Sequence, residues 1–178
     1  NVTQEIPYKE GKKEGTAKFY AQGSKAGEIV YKNDDMEGPA VFYGPGGYVS
    51  VIANYKKNRF EGEYTIFNDK KNVLRKCYYK DGKLEGVCKN FYPSGKVLEE
   101  ATYEKDIPQG QIKQYHENGK LMSLRTFNEK GALVSEETFN QKGESLGKKD
   151  IPRTPPTEYE KVSDTLHHPQ TPSKEKDG

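Results

Sequence analysis

The sequence predicts an all-β protein, an elongated single-layer antiparallel meander of repeated β-hairpins with about 12 strands. Two observations lead to this prediction. Aromatic residues recur in register along the chain, with glycine-containing turns between them. In addition, no stretch of the repeated region shows the 3.6-residue periodicity of an amphipathic helix. Short strands joined by tight turns are therefore expected throughout.

A repeat of about 24 residues is the clearest feature. The segment YKNDDMEG at 31–38 returns as YKKNRFEG at 55–62 and as YKDGKLEG at 79–86. The leading aromatics are Tyr8, Tyr31, Tyr55, Tyr79, Tyr103 and Phe127, and the second aromatics, twelve residues later, are Tyr20, Tyr43, Phe67, Phe91, Tyr115 and Phe139. Repeats of this length bury their apolar side chains against their neighbours, which predicts a linear array.

Composition divides the chain into two parts. Residues 1–147 hold six repeats and seventeen of the eighteen glycines. Residues 148–178 form a polar tail that contains five of the ten prolines. Because proline removes a hydrogen-bond donor and favours extended backbone, the tail is interpreted as a flexible terminal segment.

The repeat YKDGKLEGVCKNFYPSGKVLEEATY at 79–103 resembles the MORN-variant repeats (membrane occupation and recognition nexus) of bacterial proteins, many of which are described as YwqK-family antitoxins. The resemblance covers roughly residues 8–147 and implies a MORN-like hairpin fold. It also implies a non-catalytic module that binds a protein partner, most simply an antitoxin or immunity protein that neutralises a toxic effector by occlusion. The alternative is a structural or adhesive repeat protein of the envelope or cell surface.

Four repeats carry a Glu-Gly pair, at 14–15, 37–38, 61–62 and 85–86. We expect each glycine to leave room on the sheet for an aromatic ring from the neighbouring strand. The fifth repeat has Gln109-Gly110 instead, and the sixth has Leu133-Val134. The C-terminal end of the array is therefore expected to be a divergent cap.

Adjacent residues of a strand face opposite sides, so the residues just before the aromatics are expected to sample the other face of the sheet. In the first half of the array these residues are largely apolar, and in the second half they are mainly polar. An apolar second face needs a cover, which would be a protein partner, a second copy of the chain or the folded-back tail. The residues predicted to make this contact are Phe19, Phe42, Ile66 and Tyr78.

Two registers are open for the hairpin that contains both cysteines. Pairing Tyr79 with Gly86 puts Cys77 opposite Cys88, within reach of a disulfide, and this register is favoured. A turn centred on Asp81-Gly82 would instead put Arg75 opposite Cys88. The disulfide is expected if the protein is exported. Because the chain begins at Asn1, as it would after removal of a signal peptide, we expect a periplasmic or cell-surface location rather than a cytoplasmic one.

The sequence offers no catalytic, cofactor or metal site, which predicts that the protein is not an enzyme. Its three histidines have no spacing suited to zinc, and the segment GPGG at 44–47 lacks the lysine and helix of a phosphate-binding loop. A net charge of only +2 and the lack of a basic amphipathic helix argue against nucleic-acid and membrane binding.

Overall fold

The computed structural model describes residues 3–152, which form the predicted antiparallel meander. In chain order the strands are β1 (Gln4–Glu5), β2 (Tyr8–Lys9), β3 (Lys12–Lys13), β4 (Gly15–Ala21), β5 (Ser24–Lys32), β6 (Asp35–Tyr43), β7 (Val49–Lys56), β8 (Arg59–Phe60), β9 (Gly62–Phe67), β10 (Val73–Lys80), β11 (Lys83–Leu84), β12 (Gly86–Phe91), β13 (Val97–Glu104), β14 (Ile107–Tyr115), β15 (Leu121–Phe127), β16 (Leu133–Phe139) and β17 (Ser145–Asp150). Thirteen of them are hydrogen-bonded side by side in chain order from β1 to β17. At the usual spacing between strands, this sheet is roughly 60 Å wide. The prediction of an all-β hairpin meander is confirmed.

In three hairpins the Glu-Gly pair divides what the sequence suggests is one strand, and the short strands β3, β8 and β11 lie at the tips. At the tip of the cysteine hairpin, Tyr79 pairs with Leu84. Further from the tip, Arg75 pairs with Asn90, a shift of two residues. Both registers considered from the sequence therefore occur in one hairpin. The specific pairing of Tyr79 with Gly86 is wrong, since Tyr79 pairs with Leu84 instead.

The glycine of the Glu-Gly pair is needed for its backbone conformation. The φ angles of Gly38 and Gly86 are +87° and +82°, in the region that side chains disfavour. An added Cβ at either position would meet no atom within 4 Å. The expectation that these two glycines make room for an aromatic ring is therefore wrong, although each does lie opposite a leading tyrosine, Tyr55 or Tyr103.

The glutamate of the same pair caps the turn of the next hairpin. The four bonds run from the amide of Asn33 to Glu14 (2.7 Å), of Lys57 to Glu37 (3.1 Å), of Asp81 to Glu61 (2.7 Å) and of Lys105 to Glu85 (2.9 Å). Turns leave backbone amides without a strand partner, and a carboxylate is a strong acceptor for them. Each of the first four repeats therefore stabilises the turn of its successor.

Backbone bonds reinforce this contact between consecutive tips. The amides of Asp34, Asn58, Gly82 and Asp106 donate to the carbonyls of Lys13, Met36, Phe60 and Leu84 at 2.9–3.1 Å. The tips of the first five hairpins thus form a hydrogen-bonded stack along one margin of the sheet, which we call the tip ladder. Gln109 and Leu133 replace the glutamate in the last two repeats, so the glutamate bonds end at Lys105.

The sheet has two distinct faces, which we name after Cys77 and Tyr78. The buried apolar residues all lie on the Cys77 face: Ala17, Ala40, Ala53, Cys77, Cys88, Ala101 and Ile112. Most of them are small. A single-layer sheet has no second layer to cover a side chain, so only a short side chain can be buried beneath its larger neighbours. The core is thus a line of small residues that crosses the sheet.

Cys77 and Cys88 form a disulfide that joins β10 to β12, with their Cα atoms 4.3 Å apart. Cys77 is completely buried and Cys88 is 5% exposed. The bond lies near the middle of the array, where it joins the two strands of one repeat. It closes a short loop across the turn and thereby restricts the unfolded chain.

Removing one glutamate of the tip ladder tests its contribution. We expect Glu61→Ala to lower the free energy of unfolding by about 1 kcal/mol, because the amide of Asp81 loses a charged acceptor in a partly solvated site. Urea denaturation measures the change. The control is Glu129→Ala, in the exposed turn at 128–132, which should change stability by less than about 0.5 kcal/mol. Equal effects of the two substitutions would contradict the ladder.

Reduction tests the disulfide. We expect a reductant to lower the free energy of unfolding of the native protein by about 2–3 kcal/mol, the value typical of a closed loop of this length. The double variant Cys77→Ala/Cys88→Ala should not respond to the reductant. Denaturation with and without dithiothreitol gives both numbers, and an equal response of the two proteins would show that the bond does not stabilise the fold.

Candidate functional site

The four residues predicted to contact a partner do not share a face. Phe19 and Phe42 both pair with Gly27, and Ile66 lies two strands further along the same row of the Cys77 face. Tyr78 lies on the opposite face, where it pairs with Glu63. The prediction that all four lie on one face opposite the aromatics is therefore wrong.

The reason is the parity of the pairing. From β5 onward, and before the bulge at the end of a ladder, the numbers of two paired residues add to an odd total, as for Arg75 with Asn90 or Gly86 with Tyr103. The β4–β5 ladder differs, since its totals are even, as for Ala17 with Ile29. From β5 onward the face occupied by even-numbered residues therefore alternates from strand to strand. Residues twelve apart on adjacent strands point to opposite faces, and residues 24 apart point to the same face. The two sets of aromatics are thus on different faces.

The apolar row on the Cys77 face is packed within the sheet. Phe42 pairs with Val51, which pairs with Ile66, and all three are half-buried. A Cβ at Gly27 would lie 3.0 Å from a ring atom of Phe42, so this glycine does make room for an aromatic ring. These residues are packed against their neighbours and therefore have a structural role.

Four rings continue this layer. Phe60 lies 4.9 Å from Tyr55, 5.4 Å from Tyr64 and 5.1 Å from Tyr79 between ring centroids. Partial burial, with a smaller effect of Tyr64, raises the pKa of Tyr55 and Tyr79 above the ordinary value for tyrosine. Both hydroxyls therefore remain protonated at neutral pH.

The same row becomes polar beyond Ile66. A carboxylate oxygen of Glu99 accepts bonds from Gln114 (2.9 Å) and Arg125 (3.1 Å), and its other oxygen accepts one from Asn90 (2.9 Å). Arg75 donates to Asn90 at 3.1 Å. The sequence indicated polar residues at Asn90 and Gln114, but it gave no sign of this network, because its members come from five strands. The network links side chains of the five strands β10, β12, β13, β14 and β15 across this face.

The Tyr78 face carries a depression of about 380 Å³ lined by Lys76, Tyr78, Val87, Lys89, Phe91 and Glu100. Tyr78 is 42% exposed and Val87 is 39% exposed, although both lie within long strands near the centre of the array. Exposed apolar side chains surrounded by charged ones resemble the centre and rim of a protein-binding surface. This depression is the candidate functional site.

Tyr78 is the one residue of this site that the sequence analysis predicted. Val87 could have been found, because the register that brings Cys77 opposite Cys88 also brings Tyr78 opposite Val87. Lys76 and Lys89 pair directly across β10 and β12. They carried no sequence signal of their own, since lysine is common throughout the chain.

The chemistry of the described residues is that of a binding surface. Within residues 3–152 no group of three or more histidine, cysteine, aspartate or glutamate side chains is arranged to hold a metal ion. The Nε2 atom of His116 bonds to the carbonyl of Phe139 at 2.9 Å and so has a structural partner. His167 and His168 lie outside the described residues.

Comparison with known families matches residues 84–105 and 108–129 to the MORN repeat variant. The matches begin at the tip strand β11 and continue through β15, so they cover the centre of the array, Val87, Lys89 and Phe91 included. Residues 84–105 and 108–129 are thus similar to this repeat. No curated protein was found to be similar in sequence to the chain. No helix within residues 3–152 is long and apolar enough to cross a membrane.

Charge substitution distinguishes the structural row from the exposed site. We expect Phe42→Glu to destabilise the protein by about 2–4 kcal/mol, because a carboxylate replaces a ring packed over Gly27. We expect Tyr78→Glu to change stability by less than about 1 kcal/mol, since Tyr78 is 42% exposed and its side chain can reach solvent. Thermal denaturation of both variants measures this difference, and equal loss would mean that Tyr78 is also structural.

Proposed function

We propose that this chain is a non-catalytic module that binds another protein through the depression around Tyr78. MORN repeats generally serve as modules that bind proteins or membranes. The observation that carries the proposal is the exposure of Tyr78 and Val87 in the middle of a regular sheet, where a purely structural repeat would place polar side chains.

The more specific proposal is an immunity protein that covers a toxic effector. It draws on the resemblance of the repeat to bacterial antitoxins. An extended sheet suits inhibition by occlusion, because it can cover the active site of an enzyme without any chemistry of its own. The partner is then the product of a neighbouring reading frame, and binding should abolish the activity of that protein.

The test is titration calorimetry of the chain with that neighbouring gene product. We expect a tight complex, and we expect Tyr78→Ala to weaken it by about 30-fold, since truncation of a central aromatic commonly costs 2 kcal/mol or more. The matched control is Tyr8→Ala, which truncates a tyrosine that is 61% exposed and lies outside the depression.

Three outcomes are informative. Loss of binding and of effector inhibition in Tyr78→Ala alone supports the immunity function. Binding that is unaffected by Tyr78→Ala overturns the proposed site. If the native chain fails to bind and instead forms ordered assemblies with itself in sedimentation experiments, the immunity proposal falls and the structural or adhesive alternative replaces it.

A further inference from the structure

The hairpin that carries the candidate site has a bulge at Tyr78. The regular pairing of β10 with β12 ends at Lys76 and Lys89. The pairing at the tip begins at Tyr79 and Leu84. Between these pairs, Cys77 and Tyr78 lie against the four residues of segment 85–88. A bulge disrupts the ladder between two strands, so side-chain links across it have a larger share in fixing the position of each strand.

The preceding repeat has the same bulge and closes it with a hydrogen bond. Its flanking pairs are Ile52 with Thr65 and Tyr55 with Phe60. Between them, the side-chain amide of Asn54 donates to the backbone carbonyl of Glu63 at 2.9 Å. These two residues lie 24 positions before Tyr78 and Val87. The hydrogen bond therefore crosses the bulge on the Tyr78 face.

The repeat with the cysteines closes its bulge on the opposite face. The disulfide joins Cys77 to Cys88, and both residues are buried on the Cys77 face. The equivalent residues of the two neighbouring repeats are Ala53 with Tyr64 and Ala101 with Ile112, which form no covalent link. A tyrosine has no side-chain amide to take the place of Asn54. The disulfide thus supplies from the other face the link that Asn54 supplies in the preceding repeat.

This change of face leaves two positions of the Tyr78 face without a linking role. In the neighbouring repeats these positions hold polar residues, which are Asn54 with Glu63 and Thr102 with Gln111. Of the three repeats, only the one with the disulfide has apolar residues there, Tyr78 and Val87, and both are exposed. The covalent link and the exposed apolar pair therefore occur in the same bulge.

We infer that the Cys77–Cys88 disulfide positions Tyr78 and Val87 for the partner, in addition to stabilising the fold. This inference rests on the proposed function and concerns the same site. Each cysteine is next in sequence to one of the two site residues, so the link fixes the distance between the backbone segments that carry them. A site that is rigid before binding loses less conformational freedom in the complex, and this raises affinity. The cysteines are positioning residues, because they lie on the face that the partner does not touch.

The test variant is Cys77→Ala/Cys88→Ile, which copies the pair Ala101 and Ile112 of the following repeat and removes the covalent link. Amide hydrogen exchange is measured by NMR at two equivalent positions. The amide of Glu85 donates to the carbonyl of Tyr78 at 2.9 Å, across the bulge that loses its link. The amide of Glu61 makes the same bond at 2.9 Å in the preceding repeat, where the side chain of Asn54 still links the strands. Glu61 is therefore the matched control within the same molecule.

We expect the amide of Glu85 to exchange about tenfold faster in the variant than in the native chain, and that of Glu61 to keep its native rate. Equal acceleration of both amides would show a loss of global stability alone and overturn the inference, as would an unchanged rate at Glu85.

A second variant, Cys77→Ala/Tyr78→Asn/Cys88→Ile, places an asparagine at the position equivalent to Asn54. We expect it to fold and to return the exchange of Glu85 to about the native rate, because the asparagine can restore the link from the Tyr78 face. Exchange as fast as in the first variant would contradict the role of the link. Failure of both variants to fold would overturn the inference, since the disulfide would then be a requirement of the whole fold.

Binding to the effector gives the functional measurement. We expect Cys77→Ala/Cys88→Ile to bind about tenfold more weakly than the native chain in titration calorimetry. If Tyr78→Ala weakens the complex but the cysteine variant binds like the native chain, the proposed function stands and the positioning role is rejected. If the native chain does not bind the effector, the proposed function fails, and the exchange at Glu85 and Glu61 still decides whether the disulfide positions Tyr78 and Val87.

Discussion

The bond from the Glu-Gly glutamate to the turn of the next hairpin is the contact on which the rest of this structure depends. A single-layer sheet has no second layer to hold its hairpins in place, so the order along the array must come from contacts between neighbouring repeats. The glutamate can reach the next turn because the following glycine adopts positive φ and shifts the register by two residues. In the cysteine hairpin, the same shift separates the pairing at the tip from the pairing further along the strands, which brings Cys77 and Cys88 together.

The odd parity of the long ladders then decides what each face carries. It places the leading tyrosines, the small buried residues and the Glu99 network on one face, and Tyr78 with its surrounding lysines on the other. One face is therefore occupied by packing and by satisfied hydrogen bonds. The other keeps the exposed side chains of Tyr78 and Val87, which have no evident role in stability and are suited to recognition.

Much of the fold could be predicted from the sequence because the repeat is local. The 24-residue period and the glycine turns indicate a meander of hairpins, and the hairpin geometry brings Cys77 and Cys88 together. The combination of two registers within one hairpin could not be predicted, since the recurring Glu-Gly pair marks the position of Gly86 but does not reveal its positive φ. The capping bond of Glu61 could not be predicted either, because the amide that it accepts from, that of Asp81, lies in the next repeat.

The candidate site was predicted only in part. Tyr78 was identified as an apolar residue without a structural role, but Phe19, Phe42 and Ile66 were grouped with it on the assumption that both sets of aromatics share a face. Their actual row is packed against Gly27 and Val51. Lys76 and Lys89 could not be assigned to the site from the sequence, because only the cross-strand pairing brings them together.

Amide hydrogen exchange measured by NMR tests the central claim most directly. Asn33, Lys57, Asp81 and Lys105 occupy equivalent turn positions, and each donates its amide to the glutamate of the preceding repeat. Glu129 occupies the equivalent position in the sixth repeat, where Gln109 replaces the glutamate that would cap it. After correction for intrinsic rates, the four capped amides should exchange about tenfold or more slowly than that of Glu129. Equal exchange at all five positions would contradict a structure held together by this bond.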